Sequence, residues 1–177
     1  MGQYYKPIIL GEDKKTVKAF MYSHDYNNGL KLTEHSWIGN DFVAAFENLI
    51  RNNPKNVVWA GDYAKKDGGQ KRGQTLYSKG IDELKIKPTK KVNTIDSRYI
   101  VNHTKKEFVD KYKAPKSTFG WKIHPLPLLT CEGNGEGGGD YHSDKGANHV
   151  GTWARNLISV ERKKPQGYKE IIPNFAE

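Results

Sequence analysis

At 177 residues the chain is sized for one domain and cramped for two. Four Trp, ten Tyr and six Phe exclude a disordered chain, although a mean hydropathy of −0.81 is polar for a globular one. A single cysteine, Cys131, excludes a disulfide framework and fits a reducing compartment, and a net charge of +9 favours anionic partners.

In chain order, 5–10 and 17–22 are apolar segments separated by Gly11-Glu12-Asp13-Lys14-Lys15, the pattern of a β-hairpin. A turn at Tyr26-Asn27-Asn28-Gly29 leads to 30–32, whose alternation suits a short strand. Asn40 or Asp41 can cap a helix in which Phe42, Val43, Phe46, Leu49 and Ile50 recur at helical spacing, and Asn52-Asn53-Pro54 ends it. This predicts one main helix over about 40–52, its apolar stripe facing the core. The run 56–60 reads as an inner strand.

From 64 to 97 the chain turns polar and lysine-rich, a basic loop-rich insertion with a short helix near 81–84. Fifteen Lys/Arg stand against seven Asp/Glu between 62 and 118, so most of the positive charge is concentrated there. Strands are expected at 98–102 and 107–110, paired around His103-Thr104-Lys105-Lys106. Further strands are expected at 119–123 and at 152–160, where Trp153, Leu157 and Ile158 can reach the core; 152–157 also reads as a helical turn. Many short strands, one main helix and no βαβ alternation predict an α+β fold. The expected layout is a single compact domain over 1–177, mainly antiparallel sheet with long polar loops.

Five of the seven residues from 133 to 139 are glycine. Such density forfeits side-chain packing and backbone entropy, and exposes backbone N–H groups that an anion can approach. Asn134, Gly135, Gly137, Gly138, Gly139, Asp140 and Tyr141 are therefore candidate ligand contacts, with proline-stiffened 124–129 on one flank. Gly133-x-Gly135-x-x-Gly138 matches the dinucleotide fingerprint literally, but no apolar helical period follows it, so that reading is rejected. A phosphate-binding P-loop fails because Gly139 is followed by Asp140 and not by Lys.

A second constellation gathers His35, Trp37, Asp62 and Tyr63. His35 and Asp62, with His124, can do acid–base work, since imidazole titrates near neutrality and a carboxylate can orient it. Trp37 and Tyr63 can stack on a base, and Arg155 can steady an anion. Asp140, His142 and His149, with Cys131 or Asp144, are competent metal ligands, but their spacing matches no structural zinc pattern and no metal is assigned. No cofactor is implied. With no basic-then-apolar leader and no run near the roughly 18 apolar residues of a membrane span, the expected setting is cytoplasmic and away from membranes.

Gly2-Gln3-Tyr4-Tyr5-Lys6-Pro7, Tyr22-Ser23-His24-Asp25, Glu34-His35-Ser36-Trp37-Ile38-Gly39-Asn40 and Trp59-Ala60-Gly61-Asp62-Tyr63-Ala64 resemble a family of small proteins met in phages and prophages. Val101-Asn102-His103 and the stretch from His124-Pro125-Leu126-Pro127 to Gly139-Asp140-Tyr141 fit it too, so the resemblance spans nearly the whole chain except 65–97. It carries no activity with it. It implies a phage or mobile-element setting in the cytoplasm of a bacterial host, where counter-defence is a common role. The resulting expectation is a protein that holds an anionic ligand (a nucleotide, a cyclic nucleotide signal or nucleic acid) in the Gly-rich loop, sequestering a defence signal. Two alternatives stand beside it: an inhibitor that docks on a host protein through the lysine-rich segment, and a phosphodiesterase or nuclease using His35, Asp62 and His124.

Overall fold

The hairpin that opens the chain forms as read. In the computed structural model, which describes residues 2–65, 75–89 and 97–176, β1 (Tyr5–Leu10) and β2 (Val17–Phe20) pair antiparallel, with Ile8 opposite Phe20. β1 also pairs along its whole length with β3 (Lys55–Gly61), from Tyr5 opposite Gly61 to Leu10 opposite Asn56. All of β1 and all but the first residue of β3 are buried, because both faces of the sheet are covered here. Alternation divides β3 between the two faces. Val57 and Trp59 enter the larger core with Phe46, Leu126 and Trp153, while Val58 and Ala60 join Ile8, Phe20 and Leu76.

Helix α1 (Asp41–Ile50) starts where the capping residues predicted. The Asn40 side chain accepts the Phe42 and Val43 N–H groups at 2.9 and 3.2 Å. Phe42 and Phe46 set their ring edges against Trp59, with centroids 5.9 and 5.2 Å away. A second, shorter helix, α2 (Pro125–Thr130), occupies the stretch read only as proline-stiffened. Pro125 sits where a helix has no use for the missing N–H, and the His124 ring accepts the Leu126 N–H at 3.1 Å.

The rest of the sheet comprises β4 (Tyr99–Asn102), β5 (Glu107–Asp110), β6 (Cys131–Glu132), β7 (Leu157–Glu161) and β8 (Lys169–Glu170). The order is β2-β1-β3-β7-β4-β5-β8, with β6 also on β3; β3–β6 and β5–β8 are parallel and the other pairs antiparallel. The architecture is the expected α+β one, a mainly antiparallel sheet with one main helix.

Some local expectations are corrected. Residues 30–32 form no strand: Leu30 and Leu32 use their backbones on Tyr5 and Gly139 instead, at 2.8 and 3.0 Å. Residues 119–123 hold only single bridges, Lys116 to Lys122 and Trp37 to Ile123. Strand β7 starts at Leu157, which is 36% exposed, whereas Trp153 and Ile158 are buried. The short helix near 81–84 is a 3₁₀ turn, Asp82–Leu84. Much of the basic insertion, 66–74 and 90–96, lies outside the described residues. No helix among the described residues is long and apolar enough to cross a membrane.

Candidate functional site

A β-strand has two edges, and β1 takes one edge of β3 from Asn56 to Gly61. The other edge is shared: β7 pairs with Lys55 and Asn56, and β6 pairs with Trp59 and Ala60. The sheet therefore forks along β3. Between the prongs runs the turn 150–156, tied down by Gly151 N–H to Leu128 O at 2.8 Å, Trp153 N–H to Leu129 O at 2.7 Å and Arg155 N–H to Val57 O at 2.7 Å. The Gly-rich loop leaves β6 at the mouth of this fork. A cavity of about 370 Å³ opens there, lined by Tyr5, Glu132, Asn134, Gly135, Asp140 and Tyr141 among others.

Carboxylates furnish the polar floor. Asp140, buried, accepts the Tyr5 hydroxyl on one oxygen and the Gly137 N–H at 2.7 Å on the other. Burial, and then the bond to Asp140, raises the Tyr5 hydroxyl far above its ordinary pKa, so it stays protonated and donates. Burial and the nearby Asp140 charge push the Cys131 thiol up to about 12, which leaves it inert at neutral pH. Glu132 takes the Arg155 guanidinium side-on, Nε at 2.7 Å and the second nitrogen at 2.9 Å. Leu32, Val150 and Ala154 supply apolar wall.

The glycines resolve into separate roles. A Cβ on Gly133 would lie 2.1 Å from the Tyr5 hydroxyl, one on Gly137 2.4 Å from the Gln3 Cβ, and one on Gly139 2.2 Å from the Gln3 carbonyl. These three let the loop press onto the chain's own first residues. Gly135 adopts φ 74° with open space around it, and Gly138 is also open. Four loop amides are already satisfied: those of Asn134, Glu136, Gly137 and Asp140 reach Gln3, Asn134, Asp140 and Gly137 at 3.2, 2.9, 2.7 and 3.0 Å. The amides of exposed Gly135 and Gly138 meet no acceptor among the described residues. Beneath the loop, Gln3 is fully buried, its Oε1 on the Asn134 N–H and its Nε2 without a partner among the described residues. It borders a second space of about 130 Å³ with Tyr63, Asn134, Glu136 and Gly137.

The acid–base candidates are not brought together at the cavity. His124 is buried, capping α2 through Nδ1 and donating Nε2–H to Glu47. The His35 ring lies against Gly29 and accepts the Lys31 N–H at 3.1 Å; burial lowers its pKa. Asp62 is buried and accepts the Tyr4 N–H at 3.0 Å. Trp37 packs against Trp121 elsewhere, with centroids 6.1 Å apart. Tyr141 is at the cavity, but its hydroxyl holds the C-terminal tail, accepting the Ala176 N–H at 3.0 Å, and its ring meets Phe175 edge-on at 5.6 Å. The His142 Nε2 donates to the Gly137 carbonyl at 2.9 Å. Among the described residues, no three His, Cys, Asp or Glu side chains are grouped to hold a metal ion.

Tyr5, Leu32 and Gln3 join the site although nothing local marked them, and Glu132 joins it as the immediate neighbour of the glycines. Neither a protein-family model, a curated protein nor a solved structure matches the chain.

Proposed function

We propose that the protein binds a nucleotide in the fork of the sheet, base inward and phosphate at the rim of the Gly-rich loop, without turning it over. The observation that carries this reading is the cavity itself: its floor holds the Asp140 acceptor, and its lining includes Gly133 and Gly135, which bear no side chains. About 370 Å³ falls within the range of roughly 300–1,000 Å³ usual for small-molecule sites. The Asp140 carboxylate repels a bare phosphate, yet the remaining lone pairs on its oxygens suit the amino and ring N–H donors of a base edge. At the rim, the unclaimed amide of Gly135 offers a donor that a phosphate can approach, and the net charge of +9 raises its local concentration. With Cys131 and Tyr5 both kept protonated, the lining offers neither of them as an activated nucleophile, which favours holding over covalent turnover. The resemblance to phage-associated proteins gives such a holder a use, the sequestering of a nucleotide signal in host defence.

Thermal denaturation with nucleoside monophosphates, cyclic nucleotides, the parent nucleosides and inorganic phosphate tests the reading. A matched nucleotide at about 100 times its Kd is expected to add about 2.7 kcal/mol of stability, and its nucleoside less. Val150→Trp, filling the cavity from a half-buried wall position, should remove the shift. If no nucleotide raises Tm, or the shift survives Val150→Trp, the reading is wrong.

A further inference from the structure

A second surface stands apart from the cavity. At 116–122 the backbone doubles back: Ser117 N–H donates to Trp121 O at 2.8 Å, Gly120 N–H donates to Ser117 O at 3.0 Å, and Gly120 takes φ 89°. Lys116 bridges Lys122 at the base, and Ile38 N–H bonds Lys122 O at 2.9 Å, fastening this turn to the body. Its tip presents Phe119 and Trp121, stacked at 5.2 Å with planes 17° apart, yet 55% and 36% exposed. Trp37 adjoins Trp121 at 6.1 Å, with its plane tilted by 53°. Scattered exposed aromatics are ordinary, but two stacked rings on a pinned turn with a third beside them form a platform.

Charge along the turn has one sign. The segment 111–122 contains four lysines and neither Asp nor Glu; Lys111 is buried on Glu47, which leaves Lys113, Lys116 and Lys122 outside the core. Lys116 is exposed, and the Lys122 ammonium rests on the Tyr112 carbonyl at 2.8 Å. Tyr112 is itself 62% exposed, with the Arg98 guanidinium 4.5 Å from its ring centre. Of the nearby acids, Asp110 and Glu170 are paired with Arg98 and Lys113, and Glu34, three residues before Trp37, with Lys31, while Asp41 is exposed at the start of α1.

We propose that this face binds single-stranded nucleic acid, with bases stacking on Phe119, Trp121 and Trp37 and phosphates meeting Lys116 and Lys122. Flat rings between lysines match a chain that alternates flat bases with anionic phosphates. A duplex hides its base faces, and an apolar protein surface would leave the lysines facing no opposite charge. Because hydrogen bonds already fix the turn, little ordering cost opposes binding.

Fluorescence anisotropy with a short labelled single-stranded oligonucleotide tests this. Salt-sensitive binding is expected, weakened about 5- to 100-fold by Phe119→Ala, which removes an exposed ring without touching the core. Trp121→Ala should act likewise. Lys116→Glu should weaken binding and lower the slope of log affinity against log salt by roughly 0.7 or more. Excess mononucleotide should not displace the oligonucleotide, so this site and the cavity succeed or fail separately. No binding at low salt, equal binding of Phe119→Ala, displacement by mononucleotide, or preference for a protein partner over the oligonucleotide would each overturn the proposal.

Discussion

A Cβ built on Gly139 would meet the carbonyl oxygen of Gln3 at 2.2 Å, and Gln3 is fully buried, so neither side has room to yield. Gly139→Ala is therefore expected to cost about 1–3 kcal/mol, measured as a lower urea midpoint. Gly138 has nothing within 4 Å of the same position. Gly138→Ala should be neutral or stabilising by up to about 1 kcal/mol, acting through the unfolded chain. Equal losses at both positions would refute the account of the loop as packed onto the N-terminal residues. In the sequence these neighbouring glycines look alike. What separates them is Gln3, which lies far away in the chain and reveals itself only once the loop is folded onto it.

Helix α2 shows the same dependence one level up. Six residues make too short a helix to hold itself, so its stability comes from what grips its start. The His124 Nδ1 accepts a backbone N–H and must be unprotonated, which leaves Nε2 to donate to Glu47; Lys111 Nζ reaches both Glu47 oxygens at 2.8 Å. Burial lowers the His124 pKa from its ordinary 6.5. Burial alone would raise Glu47, but His124 and Lys111 outweigh it and hold the carboxyl below its ordinary 4.5. Both folded-state values are depressed, so each group's stabilisation is present above its unfolded value and lost as pH falls through the folded one. For His124 the loss begins below about pH 6.5, for Glu47 below about 4.5. Urea midpoints followed from about pH 8 down to pH 5 should therefore fall on the acid side. His124→Asn keeps a capping side chain that cannot take a proton, and it should flatten that decline to the share contributed by His35, lowered likewise by burial. An undiminished decline in the variant would locate the acid sensitivity outside this network. Helix α1, by contrast, was legible because its stripe and its cap both lie within one stretch of chain.

Across the whole molecule, what one stretch contains was readable and what two distant stretches make together was not. Alternation and turn residues announced β1–β2 and β4–β5, but nothing in 131–132 says that it will lie parallel to β3, and the fork follows from that pairing. Asn134, Gly135, Asp140 and Tyr141 could be singled out by composition and do line the cavity, whereas Tyr5 and Leu32 look like any core residue. His35, His124 and Arg155 attracted attention for their charge chemistry, which reads the same in a ligand site as in a structural bond until the partners are visible. Arg155 makes the distinction testable. It lies along Glu132 at 2.7 and 2.9 Å, bonds Val57 O through its own N–H at 2.7 Å, and reaches Lys14 O at 3.3 Å, so it ties β6 and the first hairpin turn to the centre of the sheet. Removing one side of a buried pair leaves the other charge stranded, at a cost of about 3–5 kcal/mol. Arg155→Met is expected to lose that much in urea denaturation without ligand, and adding Glu132→Gln should restore much of it, since a neutral amide is easier to bury. An arginine whose role was only to clamp an anion would behave otherwise: the same substitution would leave the unliganded midpoint in place and weaken affinity alone.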